Sequence, residues 1–293
     1  MKLVRVPAFA KINLTLEVLW KREDGFHDIA TVFQTIDLCD WLEIAYVPRP
    51  STEIAVSATL PIPGENIAAK AARKVLDATG RTGHIKIHIE KHIPLGGGLG
   101  GSSTDGSSVL LALPKMLGVS LAIEDRERIG AELGSDVNFF LHGGTAAAFG
   151  RGDQLDLLPD LATYHGYLVT PGFPIDSGAA YRALNRGREV EDNNARARFR
   201  ELLSEIESAP LSAWATKCGN DFETVAFSQY PALGEQLQQL AAQGATLARM
   251  SGSGSSLFAL YEDTPPALPH RPFQTLSRRK FAEAWQNALA SLA

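Results

Sequence analysis

Residues 94–104 read Pro94-Leu95-Gly96-Gly97-Gly98-Leu99-Gly100-Gly101-Ser102-Ser103-Thr104, with five glycines and three hydroxyls between a strand pattern and a helix pattern. Glycine adopts positive φ and carries no Cβ, so this segment can bring bare backbone N–H groups against an anion. The helix that follows adds unpaired N–H groups and the positive end of its dipole. Ordering so many glycines costs backbone entropy, which disfavours an idle connector. A phosphate site is therefore the first expectation, and the fold has to deliver a strand into it and a helix out of it.

The 293 residues suit one large or two medium domains, and 45% hydrophobic content is ample for packed cores. Lys and Arg number 28 against 33 Asp and Glu, a net charge of −5 that argues against general nucleic-acid binding. Phosphate must then be held locally. Cys39 and Cys218 lack metal-ligand spacing and read as free thiols of a reducing compartment. Lys11, Asn13 and Glu17 interrupt any leader-like apolar run, and no stretch is long enough to span a membrane. A cytoplasmic location is expected.

Ile12, Leu14, Leu16, Val18 and Trp20 alternate, which predicts a half-buried strand with Lys11, Asn13 and Thr15 on its opposite face. Asp24-Gly25 is a turn. Strands are expected at 31–36, 42–47 and 53–58, and a helix capped by Asn66 over 67–78. Ile85 to Glu90 alternates strictly and predicts a strand with one wet face. Helices follow over about 103–113 and 124–133. A domain boundary is expected within 159–165, giving domains 1–160 and 161–293. Beyond it lie a strand at 167–170, a short helix near 178–184, a polar mobile loop over 185–198, and Asn220-Asp221-Phe222-Glu223, spaced like a capping box. A helix at 232–243 precedes a hairpin around Ser251-Gly252-Ser253-Gly254-Ser255. The proline-rich 265–272 reads as structureless, ahead of a terminal helix over 276–292.

Gly96-x-Gly98-x-x-Gly101 matches the dinucleotide fingerprint by letter, but the strand before it alternates Lys, His and Glu with isoleucine instead of being apolar throughout. A Walker loop needs Gly-Lys-Ser/Thr, and Gly101 is followed by Ser102. Both common nucleotide folds are disfavoured.

Pro94-x-x-x-Gly98-Leu99-Gly100 followed by hydroxyl residues resembles the second motif of the GHMP kinases. Pro7-Ala8-Phe9-Ala10-Lys11-Ile12-Asn13-Leu14 resembles their N-terminal strand, and Met250-Ser251-Gly252-Ser253-Gly254-Ser255 their C-terminal glycine loop. Four further features are similar to the branch whose acceptor is a cytidine-diphosphate-linked polyol. They are Asp24-Gly25-Phe26-His27 with Thr31-Val32-Phe33-Gln34, the extended Gly-Gly-Gly-Leu-Gly-Gly loop, Gly134-Ser135-Asp136-Val137-Asn138, and Asn220-Asp221-Phe222-Glu223. The resemblance implies an α+β fold of two domains, the first with a left-handed βαβ crossover and the second ferredoxin-like. It implies ATP as phosphoryl donor with Mg²⁺ on its phosphates and no dedicated protein ligands to the metal. It implies neither nucleic acid nor membrane as partner, and leaves monomer or homodimer open.

The same resemblance assigns roles. Asp136 is the implied general base, with Lys11 to keep it ionised, polarise the hydroxyl or steady the moving phosphoryl charge; by residue type alone they are a helix cap and a solvated lysine. Residues Pro94 to Thr104 would hold ATP, one of the three hydroxyls serving only as a cap. Asn66 and Lys91 map to adenosine contacts, with ordinary roles as cap and strand-end lysine. Asn13, Phe26, His27 and Tyr181 would bind the acceptor, Phe26 and Tyr181 as an aromatic pair about cytosine; Phe33 reads as core. Gly252 and Gly254 would close over the phosphates or acceptor. Departures from the family pattern stand at Ser102, where glycine is usual, at Asn138, which replaces proline and frees the backbone beyond the base, and at the C-terminal end. The alternatives are a homoserine- or mevalonate-type kinase, a non-catalytic sensor of nucleotide or sugar, and, more remotely, an NAD-dependent dehydrogenase.

Overall fold

The first strand is longer and more deeply buried than its alternation predicts. In the computed structural model, which describes residues 1–62, 64–187 and 193–292, β1 runs Lys2–Lys21 and pairs antiparallel with β2, His27–Pro48. The two expected segments at 31–36 and 42–47 are thus one strand. Register shifts fall between Phe9 and Lys11, Asn13 and Thr15, and Val18 and Lys21, and such bulges re-aim side chains. Lys11, Asn13 and Thr15 are buried instead of facing solvent. Other segments cover them: the Lys11 N–H donates to the Leu99 carbonyl (3.1 Å) and the Thr15 hydroxyl to that of Gly219 (3.1 Å).

β3 (Glu53–Ala58), α1 (Ile67–Thr79) and β4 (Gly83–Glu90) form the βαβ unit, β3 and β4 pairing in parallel. Asn66 caps α1 by accepting the Ala68 N–H at 2.9 Å. The alternation of β4 is realised: Ile85, Ile87 and Ile89 are buried. β5 (Thr145–Phe149) and β6 (Gln154–Leu157) complete a sheet in the order β3-β4-β2-β5-β6, with β1 also on β2. α2 (Gly101–Leu117), α3 (Ile123–Leu133) and the short α4 (Phe139–His142) follow the phosphate loop. Ala71, Ala72 and Val75 of α1 meet Val109, Leu110 and Leu113 of α2 and the isoleucines of β4 in one core.

The second sheet comprises β7 (His165–Val169), β8 (Leu247–Met250), β9 (Leu257–Tyr261) and β10 (Arg271–Gln274). Its antiparallel order, β10-β7-β9-β8, is that of a ferredoxin-like unit. The proline-rich stretch is not wholly structureless, as expected, but ends in β10. Pro272 is tolerated there because β10 is an edge strand. α5 (Ser177–Leu184), α6 (Asn193–Ser208), α7 (Leu211–Trp214), α8 (Phe222–Gln229) and α9 (Pro231–Ala242) lie between β7 and β8. α6 replaces the C-terminal part of the mobile loop expected over 185–198, while 188–192 lie outside the described residues. The reason is apolar: Ala195, Phe199, Leu202 and Ile206 recur at helical spacing and enter a core with Trp214 and Phe258.

The last helix, α10 (Arg278–Leu289), departs from the expected two-part division. Phe281 and Trp285 pack into the first core, with the Phe281 ring 5.7 Å from that of Phe9. Among the described residues no helix is long and apolar enough to cross a membrane.

Candidate active site

Three chain segments meet around the phosphate loop. Gly96, Gly98 and Gly100 hold φ of +63°, +76° and +76°, which glycine alone adopts without strain. Gly100 caps α2, whose first turn begins at Gly101. Ser102 therefore sits in helical backbone and needs no positive φ, so its departure from the usual glycine leaves the loop intact. The second glycine loop, expected to close over the phosphates or acceptor, borders the cavity through Gly252 and Ser253 and is fastened to the first loop. Ser251 Oγ donates to the Gly98 carbonyl (2.9 Å) and the Ser256 N–H to that of Gly97 (3.2 Å). A Cβ on Gly98 would stand 2.0 Å from the Ser251 carbonyl oxygen. Asn220-x-x-Glu223 is half of a capping box: Asn220 Oδ1 accepts the Phe222 N–H at the start of α8 (3.0 Å). The Asn220 amide, however, donates to the Met250 and Gly252 carbonyls (2.7 and 2.8 Å), and Glu223 accepts the Met250 N–H (2.9 Å) instead of reaching back. That signature holds the second glycine loop.

The loops border a cavity of about 690 Å³. Lys11, 3% exposed, reaches its floor from the bulged centre of β1. Its Nζ donates to Asn13 Oδ1 (2.6 Å), stands 3.5 Å from Asp136 Oδ2 and lies 5.0 Å over the Phe33 ring. Asn13 Nδ2 in turn donates to Thr31 Oγ1 (2.8 Å), which fixes the amide orientation. Phe33 is core, as expected, packed on Phe139, yet its face also carries the ammonium. Burial pulls the Lys11 pKa below its ordinary value, and Asp136 opposes the shift. Asn138 holds φ −64°, the value proline would impose, so the backbone beyond Asp136 takes the course that proline would give it.

The far end of the cavity is aromatic and cationic. The His27 ring stacks on Tyr181 (4.8 Å, 16°), and Tyr181 meets Phe222 edge-on. Burial and the Asp136 charge push the Tyr181 hydroxyl up to about 12. Phe26 is 52% exposed at the rim, beneath the Arg151 guanidinium at 4.8 Å. Phe26 and Tyr181 both line the cavity, as do Lys21 and Arg182.

Residues 66–144 match the GHMP kinases N terminal domain, and residues 195–269 the GHMP kinases C terminal family. A 4-diphosphocytidyl-2-C-methyl-D-erythritol kinase of Solibacter usitatus is 40% identical, over 97% of this chain and 92% of its own. The crystal structure of a 4-(cytidine 5'-diphospho)-2C-methyl-D-erythritol kinase superposes with TM-score 0.71 at 32% identity, covering 92% of this chain and 98% of its own. The chain belongs to the 4-diphosphocytidyl-2-C-methyl-D-erythritol kinase family of GHMP kinases. The structure of a homoserine kinase from Cytophaga hutchinsonii, 19% identical with TM-score 0.70 over 100% of this chain and 92% of its own, shares the fold.

Within this GHMP kinase the residues 94–103 line the cavity, with Lys11, Asn13, Phe26, His27, Asp136, Tyr181 and Gly252. Four expected contacts do not. Thr104 is buried in α2, and Asn66 is occupied as the cap of α1. Gly254 is turned inward, where a Cβ would meet the Met250 sulfur at 2.6 Å. Lys91 is drawn inward by ion pairs with Asp40 and with Asp105, the latter at 2.8 Å. Sequence reasoning missed Arg151, which Asp153 holds (3.2 Å). An arginine locked by an acid inside a glycine turn is the signal that marks it. Ser177, at the start of α5, was also missed; its hydroxyl meets that of Ser253 at 2.7 Å.

Proposed function

We propose that this chain transfers the γ-phosphoryl group of ATP to the 2-hydroxyl of 4-diphosphocytidyl-2-C-methyl-D-erythritol, a step of non-mevalonate isoprenoid precursor synthesis in the cytoplasm. The observation that carries this reading is the Lys11–Asp136 pair, 3.5 Å apart, between a glycine loop fit for phosphates and an end fit for a charged pyrimidine nucleotide. Phosphoryl transfer asks a protein chiefly for alignment and for compensation of charge.

ATP lies along residues 94–103, its phosphates against the loop amides and the N-terminus of α2. Mg²⁺, when bound with ATP, would share the charge of the nucleotide's phosphates, and Ser102 and Ser103 at the start of α2 offer it hydroxyls from the cavity wall. Asp136 accepts the proton of the acceptor hydroxyl. Lys11, its ammonium directed by Asn13, faces the transferring group. At the other end Phe26 and Tyr181 are the aromatic pair for the cytosine, His27 bonds its polar edge, and Lys21, Arg151 and Arg182 offset the diphosphate charge. Base stacking of this kind contributes roughly 1–3 kcal/mol.

The test is ADP release from ATP with 4-diphosphocytidyl-2-C-methyl-D-erythritol, homoserine or mevalonate as acceptor. Turnover is expected with the first alone. Turnover only with homoserine or mevalonate would make the chain a different GHMP kinase.

A further inference from the structure

Next to the phosphate loop, and not among the residues that line the cavity, lies a charge cluster that no step above uses. Asp40 of β2, Lys91 just past β4 and Asp105 of α2 have side chains 0%, 0% and 3% exposed. Lys91 Nζ bonds Asp40 Oδ2 and, at 2.8 Å, Asp105 Oδ2. The second oxygen of Asp40 accepts the N–H groups of His92 and Ile93, the latter at 2.8 Å. A Cβ on Gly101 would stand 3.4 Å from Lys91 Nζ, so the cluster touches the first residue of α2.

Two carboxylates on one lysine in a dry site is an expensive way to fill space. Replacing such a network by apolar side chains is often neutral or stabilising. Asp105 even leaves its Oδ1 without a hydrogen-bond partner, and burial pushes its carboxyl up to about 7, Lys91 opposing and Asp40 assisting. The placement, by contrast, is specific. Lys91 to Ile93 lead into the loop and Asp105 stands in the helix leading out, so the Lys91–Asp105 bond clasps the two ends. Asp40 anchors that clasp to the central strand of the sheet. Five of the eleven residues from Pro94 to Thr104 are glycine, so the loop draws little of its shape from its own side chains.

We propose that Asp40, Lys91 and Asp105 are positioning residues that hold the two ends of the phosphate loop at the spacing ATP requires, and that Lys91 acts through this clasp instead of touching the nucleotide. The inference rests on the kinase reading above. Asp105 is the member to vary, because without it Asp40 and Lys91 remain a balanced pair and the fold is expected to survive.

The experiment measures binding of a non-hydrolysable ATP analogue with Mg²⁺ by calorimetry, without acceptor, and then steady-state rates. Asp105→Ala is expected to weaken analogue binding and raise the KM for ATP by about tenfold or more, with kcat and acceptor KM within about threefold of the parent. Asp105→Asn, which keeps an oxygen toward Lys91, is expected to restore most of the affinity. If Asp105→Ala does not fold, Asp105→Ser carries the same expectation, its hydroxyl being too short to reach Lys91. Parental analogue affinity in the shortened variant overturns the clasp while the kinase reading stands. So does a parallel loss of ATP affinity, acceptor affinity and Tm, which would mark a general structural role. Failure of the parent protein to bind the analogue overturns the kinase reading and the clasp with it.

Discussion

Lys11 shows how a single position can be read correctly for its partner and wrongly for its surroundings. Its place opposite Asp136 was legible through the motifs, whereas its burial was not, because bulges and covering loops do not register in an alternating pattern. Burial has a measurable consequence. In the proposed mechanism Lys11 keeps its proton to balance phosphoryl charge, and burial lowers its pKa from the ordinary 10.5. Activity should therefore fall as pH rises through a value below that figure. In Lys11→Arg the charge persists at all these pH values, so the rate is expected to be lower but the alkaline limb lost; an unchanged limb would assign it to another group. Asp136→Asn should lose about 10²–10⁴-fold in kcat with analogue binding retained, the range for removing a general base. The glycines are equally particular. Gly98→Ala should abolish nucleotide binding, since its methyl would meet the Ser251 carbonyl. Ser102→Gly should leave the KM for ATP unchanged and lower stability by no more than about 1 kcal/mol, as glycine does within a helix.

At the level of elements, regular periodicity was what made structure legible. β4 was plain because isoleucine alternates with charge, and α1 because alanines follow an Asn cap. α6 was passed over because arginines, asparagines and glutamate dominate its composition, although Ala195, Phe199, Leu202 and Ile206 mark a helical face. β10 was hidden by its proline, which an edge strand tolerates. The stacking of His27 on Tyr181 belongs to this scale too, since it joins the start of β2 to α5. Tyr181→Ala should raise the acceptor KM roughly tenfold, in line with one lost base stack, and leave the KM for ATP unaltered. Equal effects on both substrates would show that Tyr181 supports the fold and not the base.

Across the whole molecule, the cavity depends on β1, which pairs with β2 and also bonds the second half of the chain. Leu16 exchanges backbone hydrogen bonds with the 219–221 segment, accepting the Asp221 N–H (3.0 Å) and donating to the Gly219 carbonyl (2.8 Å). α10 packs on the same strand through Phe9. Trp285→Ala should cost about 3–5 kcal/mol, measured by urea unfolding, as for other large aromatic truncations in cores. A cost below 1 kcal/mol would mean that α10 is only laid against the surface. The position of α10 also bears on synthesis. β1 leaves the ribosome long before the residues that seal its core, so the nascent chain must carry the apolar face around Phe9 uncovered while the second sheet is being made. Ribosomes stalled before Arg278 should therefore hold chains that chaperones recognise and that bind no nucleotide.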